Sequence, residues 1–127
     1  MSELRGRIWD RQSGQKLEAR VHVLASTGQF GAPSEALLKV GGGEPYFYCT
    51  GEFAVDVPVG QTDIIVERGI EYRPLRVTVD MPSEGITEIA LPLERWVRLP
   101  EQGWYAGNTH IHYDEKEMRA LERLQLD

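Results

Sequence analysis

A single cysteine, Cys49, in 127 residues rules out an intrachain disulfide, so the fold rests on packing and hydrogen bonding. Histidine is nearly as scarce. His22, His110 and His112 are the whole supply, and any imidazole-based site must draw on them. Long apolar runs are lacking too, and none approaches the roughly 20 residues of a membrane-spanning helix. The opening MSELRGRIWD is charged from its third residue and has no apolar signal-peptide segment. The expectation is therefore a cytoplasmic protein, or an exported one whose signal has been removed, with no membrane partner. Basic charge is in deficit: 14 Lys and Arg face 20 Asp and Glu, a net −6. Such a surface repels phosphate backbones, which argues against nucleic acid as a partner.

What is present is enough for one soluble domain. Apolar residues make up 41% of the chain and charged residues 27%, an ordinary globular balance at a length that supports a hydrophobic core. Period-two alternation recurs from the start to about Leu93. Leu4, Gly6 and Ile8 oppose Arg5, Arg7 and Trp9, and DRQSG (residues 10 to 14) then supplies a turn. Val21, Val23 and Ala25 form a stripe opposite His22 and Leu24. In GEFAVDVPVG, residues 51 to 60, Phe53, Val55 and Val57 share one face, and Pro58 with Gly60 stops the strand. Leu75, Val77 and Val79 alternate with Arg76, Thr78 and Asp80; Ile89, Leu91 and Leu93 alternate with Glu88, Ala90 and Pro92. About six or seven short strands at roughly 10-residue spacing, with no long helical pattern between them, predict an antiparallel β-sandwich. Pro74 and Pro92 belong at strand ends or an edge, since neither can donate to a ladder. Residues 26 to 45 break the pattern, and PSEALLKV within them fits either a helical turn or a crossing strand.

Composition then changes. RWVRLPEQG, residues 95 to 103, has no alternation and reads as a linker. WYAGNTHIHY reads as one further strand and DEKEMRALERLQL as a helix, with Asp114 and Glu117 as a capping box and Met118, Leu121 and Leu124 as its apolar stripe. The expected organisation is a sandwich over 1–94, a linker over 95–103 and a strand–helix unit over 104–127.

The chemistry-bearing residues are few. On a strand His110 and His112 point the same way, about 6.7 Å apart, so their imidazoles can converge on one metal ion at about 2.0–2.1 Å. Two such residues are also what the wet face of any strand carries. Their position after a linker, on a strand feeding a helix, raises the metal reading above that of an isolated pair. Asp114 is either a further ligand or the helix cap, and the cap explains it better. His22, on the polar side of its strand, is expected to be exposed, and Cys49, with no base nearby in sequence, to serve packing. Gly41, Gly42 and Gly43 lack the Lys-Ser/Thr that follows a phosphate-binding loop and read as a hinge. Tyr46, Phe47 and Tyr48 form an aromatic cluster suited to core or edge packing, or to a small binding platform. Ser13 and Ser34 have no partners at a serine-hydrolase spacing.

GEFAVDVPVG followed by VERGIEYRPL resembles the carboxypeptidase-regulatory-like, transthyretin-type β-sandwich, a Greek-key fold. With LERWVRLPEQGWYAGNTHIHYD added, nearly the whole chain resembles the N-terminal part of CehA/McbA-type metallohydrolases. In that family a sandwich precedes a PHP (polymerase and histidinol phosphatase) barrel, which opens on a Gly-Trp-Tyr-x-Gly-(Asp/Asn)-x-His-x-His segment. The resemblance implies that His110 and His112 are the first metal-binding motif. It also implies that the complete barrel holds divalent ions (zinc, manganese or iron) and that metal-bound hydroxide attacks a phosphoester or related bond. Asn108 stands where the family often has Asp. The remaining ligands would come from later strands of the barrel, which is then the partner of this segment. A catalytic zinc takes three protein ligands, so residues 1–127 by themselves are expected to bind metal weakly or not at all and to be catalytically silent. The alternative expectation is a non-catalytic sandwich that binds a ligand or self-associates into a homo-oligomer through exposed edges.

Overall fold

The computed structural model describes residues 1–36, 38–41 and 44–104, and in these the chain is mainly β. Its strands are β1 (Ser2–Asp10), β2 (Ala19–Leu24), β3 (Phe30–Gly31), β4 (Leu38–Gly41), β5 (Glu44–Cys49), β6 (Glu52–Val57), β7 (Gly60–Glu67), β8 (Leu75–Met81) and β9 (Ile86–Leu93). A 3₁₀ turn, Leu99–Gln102, follows them. Among the described residues no helix is long and apolar enough to cross a membrane.

Two sheets form the sandwich. The smaller has the order β6-β1-β9 and the larger β4-β5-β2-β7-β8, with β3 added against the end of β2. Alternation places their inner faces. In β6 the residues Phe53, Val55 and Val57 are buried while Glu52, Ala54 and Asp56 are exposed. Leu4 and Ile8 of β1 and Leu91 and Leu93 of β9 join them, and the facing sheet supplies Val21, Val23, Phe47, Ile64 and Val66. Phe47 and Phe53 meet edge to face across the two layers, with ring centroids 5.5 Å apart. Full burial of side chains of this size stabilises by about 1.5–3 kcal/mol each. Gly6 makes room for Phe53, its cross-strand partner: a Cβ at this position would stand 2.3 Å from the ring.

One feature differs from the purely antiparallel expectation. β9 runs parallel to β1, from Glu3 opposite Ile86 to Asp10 opposite Leu93. Alternation fixes which face of a strand is buried, not its partner or direction, so this pairing has no local signature. Of the helical turn and the crossing strand left open for residues 26 to 45, the described residues take strand: β3 pairs with Val23 and Leu24, and β4 lies antiparallel to β5 at the sheet edge. Pro74 immediately precedes β8, and Pro92 lies in β9, both edge strands, as the missing amide requires.

The ordered contacts of the sandwich continue past residue 94. Tyr72 and Arg95 form an antiparallel bridge, flanked by Arg73 N–H donating to Glu94 O and Trp96 N–H donating to Glu71 O, each at 2.9 Å. The first two residues of the segment read as a linker are thus strapped to the sandwich. The strand and helix expected over 104–127, apart from Trp104 itself, lie outside the described residues.

Candidate functional site

His110, His112 and Asp114 lie outside the described residues, so their geometry forms no part of this site. Among the described residues no group of three or more His, Cys, Asp and Glu side chains is placed to hold a metal ion. His22 departs from expectation: it is 8% exposed rather than open to solvent. Strand parity does turn it outward, but Tyr46 of β5 lies over it with ring centroids 5.5 Å apart, and Glu67 approaches its Nε2 at 3.6 Å. An aromatic neighbour on the outer face buries what parity alone would leave wet.

Cys49 is buried, as packing predicts, and desolvation pushes its thiol pKa up. A thiol so placed is a poor nucleophile. The aromatic cluster divides by parity. Phe47 enters the core, while Tyr46 and Tyr48 face outward and meet edge to face with centroids 5.6 Å apart.

One connected network of polar side chains lies where the chain leaves the sandwich. Asp10, the last residue of β1, accepts from the backbone amides of Gln12 (2.8 Å) and Ser13 (2.9 Å) and from the Tyr72 hydroxyl (2.6 Å). Arg95 donates to the Tyr72 oxygen at 3.0 Å and to Glu71 at 2.6 Å, with its guanidinium 4.6 Å from the Tyr72 ring centroid. The Tyr72 hydroxyl, with the backbone amide of Ser13, holds Asp10 down at about 2. Burial, with the Asp10 contact, pushes Tyr72 above the ordinary tyrosine value. Neither group therefore changes protonation near neutral pH, so the network fastens strands together and supplies no acid–base chemistry there.

Beside it lies an open groove of about 950 Å³, within the size range of small-ligand sites. Its floor is a cross-strand row: Tyr48 of β5 is opposite Arg20 of β2, which is opposite Glu67 of β7. Arg20 is tied to Glu67 through Nε at 3.0 Å, and this contact holds its guanidinium charged above the ordinary value. The rim carries Arg68, whose Nη1 donates to Glu18 O at 2.7 Å, together with Arg73 and Trp96. Sequence reasoning missed this site. Its only local signs are the aromatics and arginines of EYRP and ERW, and nothing in either segment shows that they meet.

No protein-family model matches the chain, and no curated protein matches it.

Proposed function

We propose that this chain is the N-terminal part of a PHP-type metal-dependent hydrolase. The transthyretin-type sandwich serves as its accessory domain, and His110 and His112 open the metal site. The observation that carries the reading is the run GWYAGNTHIH, residues 103 to 112, following a β-sandwich as it does in the resembled family. The strapping of Arg95 and Trp96 to the sandwich supports it, because this fixes where the chain departs toward that run.

The donor set fits a metal only in part. Two imidazoles fall short of the three protein ligands of a catalytic zinc, so the remainder must come from the barrel strands that the resemblance implies. No step of the hydrolysis is assigned to residues 1–127. When bound, the ions would supply Lewis-acid and hydroxide chemistry; the sandwich supplies the platform. The other reading, a ligand-binding sandwich, is favoured by the groove beside Trp96.

Isothermal titration with zinc tests the metal motif. The expected affinity is micromolar or weaker, about −8 kcal/mol at best, and lost in His110→Ala and in His112→Ala. The His22→Ala variant, checked for folding because the residue is buried, retains it. Affinity falls as pH drops through about 6.5, where an unperturbed imidazole takes a proton and can no longer ligate. Nanomolar binding that survives His110→Ala places the metal elsewhere and removes this reading.

A further inference from the structure

We propose that the groove beside Trp96 binds an acidic oligosaccharide of the uronate type, with a sugar ring stacked on the Trp96 indole and a carboxylate paired with Arg73. This inference is independent of the metal motif.

Trp96 is 56% exposed, yet it is held at two points. Its backbone amide donates to Glu71 O at 2.9 Å, and its indole Nε1 donates to Ile70 O at 2.6 Å. With its one polar atom already satisfied, what the exposed ring leaves for a ligand in the groove it lines is apolar. A rigid aromatic plane in water is what the C–H face of a pyranose packs against, at little entropic cost because the platform is already ordered.

Register brings the charge to the same place. In the bridge between Tyr72 and Arg95, Arg73 is opposite Glu94 and Trp96 opposite Glu71. Arg73 and Trp96 therefore share the side away from buried Tyr72 as diagonal neighbours, roughly 7–8 Å apart in such a ladder. Among the described residues the Arg73 guanidinium makes no hydrogen bond or ion pair, and it lines the groove. A guanidinium fork is matched to a carboxylate by two parallel N–H donors.

The rest of the groove is mixed in sign. Arg20 is paired with Glu67, and Arg68 with Glu18. Planar donors beside planar acceptors suit vicinal hydroxyls, each of which both donates and accepts. Among the described arginines lining the groove, Arg73 alone is uncommitted, and a single such cation suits the sparse charge of a uronide rather than the dense charge of a nucleic acid.

The test is titration of the full chain with tri-galacturonic acid, and with maltotriose as its neutral counterpart. It is followed by the Trp96 indole N–H resonance and by calorimetry. Binding of the acidic trisaccharide should shift that resonance, and maltotriose should bind at least about tenfold more weakly. Trp96→Ala and Arg73→Ala should each weaken binding about tenfold, while Trp96→Phe, which keeps an aromatic plane, stays within about threefold of the wild type. Both side chains are exposed, so these variants keep the core intact. His110→Ala should bind normally, which separates this site from the metal motif. No indole shift at millimolar tri-galacturonate overturns the proposal. So does equal binding of the two trisaccharides, or affinity unchanged in both alanine variants.

Discussion

At Asp10 three donors converge on one carboxylate, and two of them are backbone amides that would otherwise go unpaired beside the turn. Its folded-state pKa of about 2 lies below the ordinary aspartate value of 3.8. The stabilisation is therefore fully present above about pH 4 and lost as pH falls toward 2. Urea unfolding at a series of pH values should show this acid slope, and Asp10→Asn should flatten it. Asp10→Ala leaves the buried Tyr72 O–H without its acceptor and should cost about 2 kcal/mol. A variant as stable as the wild type at pH 7 would show the network to be dispensable. Cys49 should resist thiol reagents in the native protein and react only on unfolding, because its thiol is both buried and raised in pKa.

Among the elements, β1 is constrained at Gly6, which gives its space to the Phe53 ring. Gly6→Ala should destabilise by about 1–3 kcal/mol through overpacking, and Phe53→Leu in the same chain should recover part of that. Additive losses in the double variant would mean that the two positions are not coupled. The strap at Tyr72 and Arg95 yields a second expectation. A chain ending at Arg98 keeps these contacts and should unfold cooperatively, whereas one ending at Glu94 should be less stable by about 2 kcal/mol. Equal urea midpoints would show that the strap adds nothing to the sandwich. The stripes were legible in the sequence because burial follows strand parity: Phe53, Val55 and Val57 are each buried where alternation puts them. His22 was not, because a ring from another strand covers it. Arg73 and Trp96 are 23 positions apart in the chain, and a long-range bridge between unpatterned segments leaves no local periodicity to read.

At the scale of the whole sandwich, the buried apolar residues among those described form one cluster fed by both sheets, so loss of either sheet exposes the other. Far-ultraviolet circular dichroism and tryptophan fluorescence should therefore report one coincident unfolding transition. Two separated midpoints would mean that the sheets unfold independently. The fold class follows from strand spacing; the order of strands does not, since the paired residues of β1 and β9 are adjacent in space yet lie 83 positions apart in the chain. That adjacency has a mechanical side. The two strands run in the same direction, so the start of β1 and the end of β9 lie at opposite ends of one paired ribbon. A pull applied between those points loads the ribbon lengthwise, and its eight rungs must slip together instead of opening one after another. Tension transmitted through this segment would meet a brittle joint rather than a zipper.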